Sequence, residues 1–198
     1  MKAVPGNRYG IFLAIAAGGC ALDLLSKRWI FDRLGMPHNQ PTEWLWEGVF
    51  GLTTSLNEGA LFGIGQGQVV LFAVLSIVAA LGIVYWLFIN GAARDLMLSV
   101  SLALVTAGIF GNLYDRLGLP GLQWDQFQRI HPIGSPVYAV RDWLDFKLIN
   151  WPIFNLADSF LVCGAGLLIW HAFRAETRPT APIAVAETAA SAGAPSAR

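Results

Sequence analysis

Apolar residues in this chain gather into windows long enough to cross a bilayer, which takes about 20 mostly apolar residues in helical form. Val69 to Ile89 carries no charge, and neither does Leu96 to Tyr114. Ile153 to Phe173 has one carboxylate, Asp158, near its start, and the window from Tyr9 to Ile30 is interrupted by Asp23, Lys27 and Arg28. The pattern predicts four transmembrane helices over residues 9–30, 69–89, 96–114 and 153–173. Helices two and three are separated only by residues 90–95, with Gly91 as a breaker. The other two connections are long and rich in Trp, Gly and Pro. Within the first, Val49-Phe50-Gly51-Leu52-Thr53-Thr54-Ser55-Leu56 alternates like a strand. The expected fold class is an all-α membrane protein with a small β-containing extracytoplasmic segment between helices one and two. Residues 1–174 read as one four-helix membrane domain. Residues 175–198, made largely of Ala, Pro, Thr and Ser without periodicity, read as a disordered tail.

Composition supports the membrane reading and removes others. Charged residues make up 13% of the chain, against about 25% in soluble domains. Formal charge is zero and no basic stripe is present, which argues against nucleic acid as a partner. The two cysteines, Cys20 and Cys163, sit inside apolar runs, so no disulfide scaffold is expected. Four crossings put both termini and the short connection on one face, and the two long connections on the other. Lys2 and Arg8 ahead of the first helix favour a cytoplasmic N-terminus, with the elaborated face pointing outward. Of the 13 acids, all but Asp95, Glu176 and Glu187 fall on or near that face. Ala17-Gly18-Gly19-Cys20 has two readings. It resembles a leader cleavage region with lipidation at Cys20, or it is a close-packing stretch of a retained first helix. Apolar character continuing past Cys20 favours the retained helix.

Ionisable residues at membrane depth cost about 2.5–3.5 kcal/mol each, so they mark functional positions or buried pairs. Asp23 and Lys27 share a helix face at i and i+4 and neutralise each other, either as a structural pair or beside a site. Asn57-Glu58-Gly59-Ala60-Leu61-Phe62-Gly63 reads as a turn with a polar residue, or as a grip on a peptide backbone. Gly111-Asn112-Leu113-Tyr114-Asp115-Arg116 ends the third helix with polar groups, as a solvated helix end or a pocket. The last cluster carries most of the chemistry. Pro152 suits a first helical turn, which would put Asn155 and Asp158 on one face at the boundary, with Asp142 returning to the same level. Two carboxylates meeting at a half-dry interface do not both ionise easily. One then serves as base and its partner as acid toward a water attacking an amide carbonyl. No His, Cys, Asp or Glu grouping has metal-ligand spacing. The competing readings are a small transporter relaying protons through intramembrane carboxylates, and a structural subunit using Asp23–Lys27 and Asp115–Arg116 as helix glue.

With these residues in place, the chain resembles the lipoprotein signal peptidase family (signal peptidase II). The resemblance covers most of Tyr9 to Phe173. It rests on Asp23 and Lys27, Asn57-x-Gly59-Ala60-x-Phe62-Gly63, Gly111-Asn112-x-x-Asp115-Arg116, Val140-x-Asp142, and Phe154-Asn155-x-Ala157-Asp158-Ser159. It implies an aspartic endopeptidase of the bacterial inner membrane that cuts a diacylglyceryl-modified prolipoprotein before its lipidated cysteine. It also implies an outer-face active site, contact with membrane lipid, sensitivity to globomycin, a monomer, and no cofactor. By motif position Asp142 and Asp158 are the catalytic pair. Asn57, Gly59, Asn112, Arg116 and Asn155 contact substrate, Asp115 supports the pocket, and Asp23 and Lys27 are structural or substrate-proximal. Two departures stand out. The connection from Arg116 to Val140 is longer than the family's usual one, with Leu117 to Pro136 read as a loop or small lid. Asp145, three residues after Asp142, competes for the first catalytic position, and the Val-x-Asp-aromatic context favours Asp142.

Overall fold

The computed structural model describes residues 3–59, 65–125, 131–149 and 151–176. Among the described residues, four helices have the length and apolarity to cross a membrane. They are α1 (Asn7–Leu34), α2 (Val69–Val84, continuing through a wide π turn over Tyr85–Ile89), α3 (Leu96–Arg116) and α4 (Leu156–Glu176). Three strands, β1 (Glu43–Trp46), β2 (Phe50–Asn57) and β3 (Val140–Phe146), form an antiparallel sheet in the order β1-β2-β3. The first two strands lie where alternation placed them. The third comes from the other long connection, so the sheet joins both of them rather than belonging to the first alone.

α3 is the central helix, and its composition is the reason. Its buried positions include Ser99, Ser101, Ala103, Thr106, Ala107, Gly108 and Gly111, a run of small residues that lets neighbouring backbones approach. A Cβ at Gly108 would run into the Ala157 carbonyl of α4, and one at Gly111 into the Asp23 carboxylate of α1. The hydroxyls of Ser101 and Thr106 donate to Met97 and Leu102 carbonyls one turn back, at 2.7 Å each, so neither hydroxyl is left bare. α2, by contrast, exposes most of its length, with Val70 78% accessible. A helix apolar all round is stable in such a position because its surroundings are lipid.

The plain end of the bundle is closed by aromatic contacts. Phe88 stacks on Tyr9 and meets Phe12 edge-on, tying the end of α2 to the start of α1. Gly91, with φ of 76°, makes the left-handed turn that follows, and Asp95 caps α3 by accepting from the Leu98 N–H at 3.0 Å.

At the elaborated end α1 outruns the membrane. Its 28 residues span about 42 Å at 1.5 Å per residue, against roughly 30 Å of hydrocarbon. The prediction that it stops near residue 30 is therefore short by a turn. The extra turn seats the sheet, with Ile30 and Leu34 packing on Leu52 and Trp143. The helix runs unbroken through Cys20, and Gly19 packs against Ala107 and Phe160. That stretch is a helix contact in this structure.

α4 begins three residues later than predicted. Phe154 is not helical, because its backbone pairs with β3: the Trp143 and Leu144 N–H groups donate to its carbonyl, and its own N–H donates to the Leu144 carbonyl. Asn155 is therefore the helix cap rather than a residue on the helix face, and Pro152 lies ahead of the first turn. Residues 177–198, most of the predicted tail, lie outside the described residues, as do residues 60–64 and 126–130.

Candidate active site

The site forms where the β3–α4 junction meets the ends of α1 and α3. Its local chemistry begins with the helix cap. The Asn155 side-chain oxygen accepts from the Asp158 N–H at 2.9 Å, and the Asp158 carboxylate accepts in return from the Asn155 N–H at 3.3 Å. This is a reciprocal capping box with aspartate at the third helical position. The Ala157 N–H, another donor that a helix start leaves over, donates to Asp23 at 2.9 Å. Three of the motif residues are thus held by the need to terminate one helix.

Asn155 also links the two carboxylates. Its amide nitrogen donates to Asp142 Oδ1 at 2.6 Å and to Asn112 Oδ1 at 3.1 Å. Asn112 in turn donates to Asp158 Oδ1 at 2.8 Å. Both amides are oriented by their neighbours. Lys27 Nζ, which can only donate, lies 2.9 Å from Asn112 Oδ1. The oxygen of Asn112 must therefore face Lys27, which turns its nitrogen toward Asp158.

Lys27 and its partners form a closed ionic cluster. Its ammonium lies 2.7 Å from Asp23 and 2.9 Å from Asp115, with all three side chains at 0% exposure. Asp115 also accepts from Arg141 Nε at 2.9 Å and from the Arg141 backbone N–H at 3.1 Å. It therefore fastens β3 to α3 one residue before Asp142. Arg141 was not among the predicted site residues. Its partner lies 26 positions away, and no local pattern could have pointed to it.

Asp142 is buried, and its carboxyl is pushed up to about 8 by burial first and by the nearby charge of Asp158 second. Asn155 and Asn57 hydrogen-bond it, which opposes that rise only in part. Asn57 sits at the end of β2, paired with Val140, and its side-chain oxygen accepts from the Gly59 N–H at 2.9 Å. Arg116 donates to the Gly59 carbonyl at 3.0 Å, with its guanidinium over the Phe72 ring. All ten predicted site residues therefore lie in one connected neighbourhood. Asp145 does not: it is three places along β3 from Asp142, so the pleat turns it to the opposite face, where it contacts Lys147 at 3.1 Å.

The predicted lid, in its described parts, is a hairpin. The Trp124 N–H donates to Ser135, and the Val137 N–H to Leu122. Trp124 stacks flat on His131, whose Nε2 lies 2.6 Å from Glu58 Oε1. Glu58 and His131 were not singled out from the sequence, because their contact spans the two long connections.

Comparison with known proteins gives a consistent picture. A family model described as signal peptidase (SPase) II matches residues 15–174. A lipoprotein signal peptidase of Rhodopirellula baltica is 46% identical over 89% of this chain and 78% of its own. One from Synechocystis is 34% identical over 82% of this chain and 88% of its own. Among solved structures, a bacterial membrane enzyme determined at 2.3 Å superposes with a TM-score of 0.69 at 26% identity, covering 85% of this chain and 90% of that one.

Proposed function

Since the chain belongs to the signal peptidase II family and removes signal peptides from prolipoproteins, we propose that it does so as an aspartic endopeptidase with Asp142 and Asp158 as its catalytic pair. The observation that carries this is Asn155. It donates to Asp142 while exchanging cap hydrogen bonds with Asp158, so one side chain sets the spacing of both carboxylates. Asp142, raised to about 8, holds the proton at neutral pH and is the acid. Asp158, which accepts from Asn112 and the Asn155 N–H, is the base.

In the reaction Asp158 takes a proton from water as the oxygen attacks the scissile carbonyl, and Asp142 gives its proton to the carbonyl oxygen. The tetrahedral intermediate collapses as the C–N bond breaks. The proton on Asp158 passes to the leaving amine, and Asp142 recovers its proton from the collapsing hydroxyl. Asn57, Gly59, Asn112, Arg116 and Asn155 are the substrate-contacting groups of this reading. Asp115, Asp23 and Lys27 hold them in place. The cut falls before a diacylglyceryl-modified cysteine. The termini lie in the cytoplasm of a bacterium, the site at the outer face of its inner membrane, and a globomycin-type inhibitor would compete there. The enzyme works as a monomer with one membrane domain over residues 1–174. The proton-relay transporter reading finds no support in the relatives.

The test is cleavage of a diacylglyceryl prolipoprotein by the reconstituted enzyme. Asp142→Asn and Asp158→Asn should each lose about 10²–10⁴-fold or more in rate, while Asp145→Asn stays near wild type. A folded Asp142→Asn or Asp158→Asn variant with near-normal turnover would sink the paired mechanism. An inactive Asp145→Asn beside an active Asp142→Asn would move the acid to Asp145.

A further inference from the structure

A cavity of about 500 Å³ lies where the elaborated end of α1 faces the end of α3. Arg141 lines it and Asp142 does not, because successive residues of β3 point to opposite faces. The cavity is therefore separate from the carboxylate pair. Leu119, Pro120 and Leu122 close one side, beside Tyr114, whose hydroxyl meets the Leu119 carbonyl at 3.5 Å.

Arg141 is only 5% exposed, yet its guanidinium is incompletely paired. Nε and Nη2 both go to Asp115 Oδ1, at 2.9 and 2.8 Å, and the group lies over the Phe31 ring. Nη1 makes no hydrogen bond or ion pair among the described residues. A guanidinium carries five N–H donors, and leaving buried donors unpaired is costly. An acceptor seated in the cavity would complete it.

The α1 wall carries Leu24, Arg28 and Asp32 at i, i+4 and i+8, about 6 Å apart along the helix at each step. Leu25, also on the wall, is 65% exposed on the lipid side. From the bilayer outward the order is thus apolar, cationic, anionic. Arg28 and Asp32 meet at 3.5 Å with side chains 79% and 72% exposed, a pair too weak to resist new partners. A phospholipid with an amine head group runs in the same order: methylenes, phosphodiester, ammonium. Its phosphate can accept from Arg28 and from Nη1 of Arg141, and its ammonium can donate to Asp32. An anionic head group without an amine would set its charge beside Asp32 and offer nothing in return. We propose that this cavity binds the head group of an amine-bearing phospholipid, with the phosphate on Arg28 and Arg141 and the ammonium on Asp32.

The experiment is native mass spectrometry of the full chain in detergent, titrated with dioleoyl phosphatidylethanolamine, dioleoyl phosphatidylglycerol or inorganic phosphate. The ethanolamine lipid should bind more tightly than the glycerol lipid, and inorganic phosphate should displace neither. Arg28→Gln, at an exposed position, should raise the Kd for the ethanolamine lipid roughly tenfold or more. Arg141→Lys, which keeps a cation beside Asp115 but removes Nη1, should weaken it as well; where that variant does not fold, Arg28→Gln carries the test. Asp32→Asn should abolish the preference between the two lipids. Arg33→Gln, outside the cavity and bound to Glu43, should change nothing. Unaltered binding in Arg28→Gln, or an equal loss in Arg33→Gln, would overturn the site. Tighter binding of the glycerol lipid, or an unchanged preference in Asp32→Asn, would overturn the amine assignment. Displacement by inorganic phosphate would make the ligand a free anion and overturn the lipid. The readout is binding and not cleavage, so a failure here leaves the peptidase reading where it stands.

Discussion

Replacing Lys27 with methionine removes the cation from the buried cluster while keeping most of its volume. Asp23 and Asp115 lose contacts of 2.7 and 2.9 Å at once. Asp115 keeps Arg141 and Asp23 keeps the Ala157 N–H, so the cluster is weakened rather than emptied. Breaking a buried pair from one side costs about 3–5 kcal/mol, because the remaining charge stays desolvated. Adding Asp23→Asn removes one of the stranded charges, and the double variant should regain about 0.5–3 kcal/mol relative to Lys27→Met. Activity should behave differently. Without Lys27, Asn112 Oδ1 keeps the Asn155 amide at 3.1 Å but loses its charged donor, and the hydrogen bond that Asn112 aims at Asp158 is held less firmly. A hydrogen bond to a charged group contributes about 1.5–3 kcal/mol, which corresponds to roughly 10–100-fold in turnover. The assay pairs denaturant unfolding in mixed micelles with single-turnover cleavage. Stability should recover in the double variant and turnover should not. If both recover together, Lys27 is only a counter-ion and orients nothing; if Lys27→Met is as stable as wild type, the cluster does not hold the helices.

Two further outcomes follow from the same geometry. Asp142 has a carboxyl raised from 3.8 to about 8, so turnover should fall as pH rises through about 8 and the acid is lost. The folded state binds this proton more tightly than the unfolded one. Its stabilising contribution is therefore complete below pH ~4 and disappears as pH climbs toward ~8. Asp142→Asn should flatten that part of the stability profile, and a wild-type rate still rising past pH ~9 would contradict the assignment. Gly111→Ala puts a methyl group against the Asp23 carboxylate and should cost about 1–3 kcal/mol together with activity. Gly10→Ala in α1, where a Cβ meets nothing within 4 Å, should be neutral or slightly stabilising; equal effects at the two glycines would refute the close-packing account.

How far the sequence foretold this molecule depended on the range of the interaction concerned. Long uncharged windows such as Val69 to Ile89 made the helices plain, and alternation over Val49 to Leu56 disclosed β2. β3 escaped notice because Val140 to Trp143 are all buried, which erases the in-out alternation that marks a half-buried strand. The start of α4 was misplaced because Pro152 is compatible with a first turn, while the pairing of Phe154 with Leu144 depends on a strand ten residues earlier. Asp115 beside Arg116 looked like a neighbouring pair, yet its strong bonds run to Arg141 and Lys27. The catalytic candidates were legible as residue types in an unusual place. Their orientation by Asn112 and Lys27 was not, since it joins three helices.

Asp142 and Asp158 stand sixteen positions apart in the chain, and the stretch between them is pinned at its middle by the Leu144–Phe154 bridge and near its end by Asn155. The pair therefore straddles one strand–helix junction, with Asp142 on β3 and Asp158 in the first turn of α4. Bilayers differ in thickness, and spanning helices answer by tilting. A tilt of α4 would carry Asp158 together with Phe154 and Asn155, whose bonds to β3 and Asp142 draw the other carboxylate after it. On the proposed reading, the chemistry would then depend little on the lipid composition of whichever membrane delivers the substrate.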